Sequence, residues 1–360
     1  MSKKAVLCLI AATVVLTFLF SLGIFSTPAF AKSRILKYGS GVPPKSWFAQ
    51  QEKWWAGEVE KRTQGRLKIK IFWMGSLVKW KDMLHGIKSG ILDIGVTSST
   101  YHPSDFPLWM LLDMPYNLTD YYVGMMAALD TMENQPDLKK ELDMAQHVSL
   151  GGYCSGQFQL ATRKQFKTYS ELKGKTFRTY GGARIKWMEF MGINPVFMSY
   201  ADIYEALDRG TVFGSDLVFQ LSDAFKHYEV AKFVSLANSG AVLAANHRMM
   251  NKKVFDSLPK DIQGILMKLR LDFNARYAKN LMDFESGVIE NWRTKYGVTI
   301  SELSKKDIAI AAKAGKDAQE WFIKKQESGG HPAHKVWNYY LNSYKKYDNE
   351  VKAKGYPWQR

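Results

Sequence analysis

Apolar residues recur along this chain at two periods, and the alternation between them outlines the fold. Leu67-Lys-Ile-Lys-Ile-Phe-Trp73 alternates apolar and polar positions, as a half-buried strand does. Between Ser46 and Arg62, Trp47, Phe48, Trp54, Trp55 and Val59 recur at helical spacing, and Thr63-Gln64-Gly65 ends the run. A strand over Ile35–Ser40, a helix over Trp80–Ser89 and a strand over Ile91–Val96 complete a strand–helix–strand–helix–strand order, which predicts right-handed crossovers and a mainly parallel sheet.

Helices are predicted over Asp120–Glu133 and Pro136–Ala145, followed by strand character through Val148–Thr162. A second α/β unit opens with a strand over Lys175–Tyr180. It continues with helices over Gly182–Met191 and Ala201–Arg209, a strand over Ser215–Phe219 and a helix over Ser222–Glu229. Val242–Met250 reads as a strand returning to the first unit. Pro259–Tyr296 has no internal proline and predicts one very long helix, kinked near Gly287. A short strand over Val298–Leu303 and helices over Lys305–Gln326 and Ala333–Lys354 close the chain. Two α/β units joined by several crossings predict a hinged pair of lobes with a ligand site between them.

The N-terminus has a different pattern. Lys3 and Lys4 precede an almost wholly apolar run from Ala5 to Ser26, and Thr27-Pro-Ala-Phe-Ala31 supplies a small-residue exit. That is the layout of a secretory signal peptide cleaved after Ala31, and it places the mature protein in the periplasm. The run is also long enough for an uncleaved membrane anchor. With 360 residues, 46% hydrophobic and 23% charged, the chain has the composition of a packed globular protein. Its two cysteines exclude a disulfide-stapled scaffold and a multi-Cys zinc module. Loss of Lys3 and Lys4 with the leader would lower the net charge from +16 to +14. Export and the scatter of Lys and Arg among acidic residues argue against nucleic acid, so the excess reads as solubility and long-range attraction of anions.

Enzyme motifs are weak. Gly152-Tyr-Cys-Ser-Gly156 has the spacing of a nucleophile elbow, but the strand-like Gln157–Thr162 follows where a helix should. His331-Pro-Ala-His334 lacks nearby Cys, Asp or Glu to complete a metal set, and Gly39-Ser-Gly41 runs into Val42-Pro-Pro44 and not into a helix. A secreted enzyme using Cys154 is the rival reading. Arg178 is the more telling residue. It alternates with Thr176 and Tyr180 on a strand bounded by Gly174 and Gly181, where a half-buried guanidinium needs an anion, either a ligand or an internal carboxylate. Asp216 lies on the next predicted strand.

Three stretches carry a resemblance: Ser170-Glu-Leu-Lys-Gly-Lys-Thr-Phe-Arg178, Gly192-Ile-Asn-Pro-Val-Phe-Met198 and Ile203-Tyr-Glu-Ala-Leu-Asp-Arg-Gly210. Together they resemble the central region of the TRAP transporter solute receptors (DctP type). Glu58–Gly65, Gly75-Ser-Leu77, Gly90–Gly95 and Asp113-Met-Pro-Tyr116 agree in order. The resemblance implies an α/β, two-lobed, type II periplasmic-binding fold with a long helix spanning both lobes. Lobe I would comprise residues 32–154 and 243–283, and lobe II residues 155–242 and 284–360. It implies a receptor without catalysis, one that captures a small organic acid and delivers it to a small and a large membrane subunit.

By the same resemblance Arg178 would grip the ligand carboxylate. In the branch for 2-oxo and 2-hydroxy acids, Gln157, Asp216 and Leu217 would hold a Na⁺ or Ca²⁺ ion bridging to the ligand. The pair Asp216-Leu217 departs from that branch's Glu-Trp, and Phe213-Gly214 from the family's usual Asp-Gly. Tyr180, Leu217 and Phe219 are expected on the second-lobe wall and Tyr101 and Trp47 on the first, around a monocarboxylate with an apolar tail. No other cofactor is expected. The long C-terminal helices would allow a homodimer, and a sensor receptor would use the same pocket with another partner.

Overall fold

The computed structural model describes residues 33–116, 120–241 and 246–360. The leader and its cleavage site after Ala31 lie outside the described residues. Two mixed sheets form the centres of two lobes. The first has the order β2-β1-β3-β10-β4, built from β1 (Arg34–Gly39), β2 (Leu67–Phe72), β3 (Ile94–Ser98), β4 (His147–Tyr153) and β10 (Asn246–Asn251). Strands β1, β2 and β3 are parallel, and β10 runs antiparallel between β3 and β4. The second sheet has the order β11-β9-β5-β8-β6-β7, with β5 (Gln159–Thr162), β6 (Thr176–Thr179), β7 (Asn194–Phe197), β8 (Gly214–Leu217), β9 (Phe233–Leu236) and β11 (Thr299–Glu302). Each sheet therefore combines parallel crossover pairs with antiparallel strands supplied by the chain's return.

The expected strand through 148–162 is two strands, one in each sheet. Gly156 sits in the passage between them at φ +75°, a left-handed conformation that glycine adopts without penalty. A Cβ there would stand 2.4 Å from Gln220 Nε2, so the crossing also needs a residue without a side chain.

Local chemistry sets most helix boundaries. Ser46 caps α1 (Trp47–Arg62) by accepting from the Ala49 amide at 3.2 Å, whereas the short α2 (Met83–Lys88) has no side-chain cap. Asp120 caps α3 (Tyr121–Asn134), and Pro136 opens α4 (Pro136–Met144). In the second lobe α5 (Ala183–Phe190), α6 (Ile203–Arg209) and α7 (Phe219–Ala224) follow β6, β7 and β8 respectively; α8 (Lys252–Asp256) follows β10.

The long helix α9 runs unbroken over Lys260–Thr294, 35 residues or about 52 Å. Its first half packs on the first lobe, with Phe273 against Trp54 and Tyr153. Its far end reaches the second lobe, where Trp292 packs edge-on against Phe219 at 5.4 Å. Helix α10 (Lys305–Ser328) lies on α5 of the second lobe, and Trp187 Nε1 donates to the Ala311 carbonyl at 3.1 Å. Helix α11 (Ala333–Lys354) lies instead along α3 of the first lobe, with Ser343 Oγ donating to Asp130 at 2.5 Å. The tail thus divides between lobes, whereas the sequence assigned all of 284–360 to the second. Both tail helices are amphipathic, and periodicity does not say which lobe an apolar stripe will meet. Because α9 buries side chains in both lobes, Leu281→Ala, at a fully buried position, is expected to cost about 2–5 kcal/mol in urea denaturation. A loss below about 1 kcal/mol would show that this helix does not tie the lobes.

Candidate functional site

A narrow cavity lies between the lobes, in two small adjoining compartments that share Trp80, Ser155, Leu221 and Asn246 in their walls. Arg178, Tyr180, Tyr101, Phe158 and Tyr200 line the compartment toward the second lobe. Glu52, Phe48, Val96 and Tyr153 line the one toward the first. The lobes also touch directly here. Tyr101 of the first lobe accepts a hydrogen bond from the Tyr200 amide at 3.3 Å and packs against Phe197 at 6.2 Å.

Arg178 stands on β6, where the strand's alternation turns it inward, and it is 1% exposed. Its Nε donates to the Met198 carbonyl at 3.1 Å. Its Nη1 donates to Asp216 Oδ1 at 3.2 Å and is 3.5 Å from the Asp216 carbonyl. The Tyr200 ring lies 5.0 Å from the guanidinium carbon. Nη2 has no hydrogen bond to the described residues. Asp216, fully buried, is also held by the Thr179 hydroxyl at 2.7 Å. Burial pushes its carboxyl above the ordinary range, while Arg178 and Arg184 pull it down. His227, stacked on Tyr200, is held neutral by burial and by Arg178, its pKa lowered to about 3.

A charged group buried this deeply is tolerable because a carboxylate and two backbone carbonyls engage its Nε and Nη1. Nη2 is unused among the described residues, and Arg178 lines the cavity. Tyr180 adds a second donor, since its buried hydroxyl has no partner and burial pushes its pKa upward, keeping it a phenol. Arg184, missed in the sequence, adds positive charge behind them. Fully buried under Phe158 at 4.2 Å, it donates to Ser239 and to the Gly240 carbonyl and, among the described residues, has no carboxylate within ion-pair distance. An acceptor group entering this end meets free N–H and O–H donors and a positive potential, the requirements for a carboxylate.

The other expected residues lie elsewhere. Leu217 is buried in β8 opposite Gln159, and Phe219 is buried against Trp292. Trp47 stacks on Phe284 at 5.1 Å and packs on Tyr277, so it joins the first lobe to α9. Gln157 sits in the crossover, where its amide donates to the Tyr121 hydroxyl at 3.2 Å. Neither Gln157 nor Asp216 is among the residues lining the cavity. Among the described residues no group of three or more His, Cys, Asp or Glu side chains could hold a metal. Both Asp216 oxygens accept hydrogen bonds, Oδ1 from Arg178 and Oδ2 from Thr179.

At the first-lobe end, Glu52 is 2% exposed, and one of its carboxylate oxygens, Oε2, has no partner. This residue too was missed. Its signal was its place on the stripe Phe48, Glu52, Trp55, Val59, at spacings of four, three and four.

Comparison with known proteins was then informative. The family model described as DctP, bacterial extracellular solute-binding protein, family 7, matches residues 38–326. The 2,3-diketo-L-gulonate-binding periplasmic protein YiaO of Escherichia coli is 24% identical over 317 residues, covering 87% of this chain and 94% of the relative. The Bordetella pertussis receptor DctP7, solved with pyroglutamic acid, aligns with a TM-score of 0.76 at 18% identity, covering 87% of this chain and all of the other. A marine metagenome TRAP solute-binding protein described as specific for aromatic acid ligands, with metahydroxyphenylacetate bound, aligns with a TM-score of 0.81 at 21% identity, covering 87% and 99%. Among the described residues no helix is long and apolar enough to cross a membrane.

Cys154 also borders the cavity, yet it is fully buried, and burial drives its thiol pKa strongly upward. The backbone after it passes into β5 and not into a helix, so no elbow forms. Iodoacetamide at about pH 8 is expected to label Cys154 only after unfolding. Rapid labelling of the native protein, read by mass spectrometry, would reveal a thiolate and revive the nucleophile reading.

Proposed function

The chain belongs to the DctP family, family 7 of the bacterial extracellular solute-binding proteins, and from that premise we propose that its interlobe cavity captures a small monocarboxylate at Arg178. Members of this family are receptors of TRAP transporters and work with their membrane subunits. The observation that carries the finer reading is that Arg178 and Tyr180 line the cavity together, with the Tyr180 hydroxyl lacking a hydrogen-bond partner and Arg178 Nη2 unused among the described residues.

A carboxylate meeting these donors forms charge-assisted hydrogen bonds, each typically about 1.5–3 kcal/mol net. With Nε on Met198 and Nη1 on Asp216, the acid approaches the Nη2 edge and does not displace the internal carboxylate. Trp80, Val218 and Leu221 give the adjoining wall an apolar character that favours a hydrocarbon or aromatic body. Closure around it removes water and strengthens the charged contact. The relatives' named ligands, 2,3-diketo-L-gulonate, pyroglutamic acid and metahydroxyphenylacetate, share the carboxyl group and little else. That diversity supports a common carboxylate anchor with a variable remainder. Tyr101 would hold the closed form through its bond to the Tyr200 amide. The acid is then handed unchanged to the membrane subunits.

Arg178→Ala would strand the Asp216 charge, at about 3–5 kcal/mol, and confuse folding with binding. Arg178→Lys keeps the charge and loses the planar donor edge. It is expected to weaken binding of the co-purifying acid at least about tenfold by calorimetry, with the protein folded. Unchanged affinity would remove Arg178 from the site. We further propose that no cation takes part, because Asp216 is committed to Arg178. Exchange into sodium-free, chelator-treated buffer should leave the affinity unaltered, and a marked loss restored by Na⁺ or Ca²⁺ would overturn that.

A further inference from the structure

The cavity has a second polar end that the carboxylate reading does not use. Arg248 on β10 is fully buried and lies 4.1 Å from the Trp55 ring, 4.4 Å from Phe273 and 5.0 Å from Tyr153. It donates to the Tyr153 hydroxyl, which is 2.9 Å from the Tyr38 hydroxyl, and Glu52 lies in the same cluster, where Ser40, Arg248 and Tyr38 favour its charged form. Glu52 lines the cavity, and its Oε2 is buried with no hydrogen-bond partner among the described residues.

We propose that Glu52 recognises a hydrogen-bond donor, a hydroxyl or ammonium group, on the end of the ligand opposite its carboxylate. This rests on the carboxylate reading and narrows it to acids with an apolar middle and a distal donor. The two compartments adjoin, sharing Trp80, Ser155, Leu221 and Asn246, and a ligand occupying both would run from Arg178 to Glu52. A second carboxylate at that end would meet the Glu52 charge and be disfavoured.

Glu52 has the marks of a group kept for binding. Burial pushes its pKa up to about 7, against the pull of Ser40, Arg248 and Tyr38. The ionised form is therefore uncomfortable in the empty protein, and folding takes up a proton between the ordinary carboxyl range and about pH 7. Stability from this group is then highest in acid and declines as pH rises through that window. The charged and titratable groups that act on Glu52 or feel it are Tyr38 on β1, Tyr153 on β4, Arg248 on β10 and Tyr277 on α9. The three tyrosines are pushed upward by burial and stay neutral, so the window belongs to the carboxyl.

The test is calorimetry on matched acids: 3-hydroxyphenylacetate against phenylacetate, and 6-aminohexanoate against hexanoate, with adipate as the dicarboxylate control. In at least one pair the wild type should prefer the donor-bearing member by roughly tenfold to a hundredfold, and adipate should bind more weakly than that member. Glu52→Gln should narrow the preference and raise the melting temperature at about pH 8, since it removes a buried charge. Equal binding within both pairs, or a preference that survives in a folded Glu52→Gln, would overturn the assignment. Because the wild-type panel decides without the variant, a failure of Glu52→Gln to fold does not protect the proposal. If no acid in the panel binds wild type and the co-purifying ligand is not an acid, the carboxylate reading at Arg178 falls first, and this one with it. A hydroxyl and an ammonium ligand are distinguished by which pair shows the preference.

Discussion

The buried contact between Arg178 and Asp216 is the constraint around which the site is arranged. An isolated guanidinium in a wall that is 1% exposed would be prohibitively desolvated, and an isolated aspartate there would take a proton. Paired, they persist, and the pairing is incomplete in a useful way. Asp216 and Met198 occupy Nη1 and Nε, which leaves Nη2 unused in a side chain that lines the space between the lobes. The charge is compensated enough to fold and available enough to bind. Arg184, whose partners are carbonyl and hydroxyl oxygens, sustains the positive potential behind it.

The rest of the architecture positions that edge against a counterpart. Strand β6 carries Arg178 and its end carries Tyr180, while the first lobe brings Trp80 and Tyr101 to the opposite wall. Helix α9 spans both lobes, and its aromatic contacts with Trp47 and Phe219 fix how the lobes meet. Neither residue needs to touch a ligand to matter for binding, since the width of the cavity depends on that packing. The passage through Gly156 gives the chain a place to bend between them.

Much of the fold was legible because period and boundary chemistry agree: β2 alternates, Ser46 and Asp120 cap their helices, and α9 has no internal proline. The short strands β7 and β9 were not: β7 holds Pro195, which argues against a strand, and the Phe-Val-Ser-Leu of β9 shows no alternation. Within the site, Arg178 stood out as a charge where a strand should be apolar. Trp47 and Phe219 did not separate from the pocket, since an aromatic on a core stripe looks the same whether it faces a ligand or another ring. Glu52 was hidden for the converse reason. Flanked by Gln51 and Lys53 it reads as solvent-facing, and only the helical spacing from Phe48 to Trp55 places it inside. The partnership of Arg178 with Asp216 required knowing that β6 and β8 are neighbours in the sheet, which no local pattern states.

The most direct test is a crystal structure with the acid that co-purifies with the protein. The account predicts its carboxylate within about 2.7–2.9 Å of Arg178 Nη2 and in reach of the Tyr180 hydroxyl, with Asp216 still bonded to Nη1. A ligand seated away from Arg178, or one with no acidic group, would contradict it.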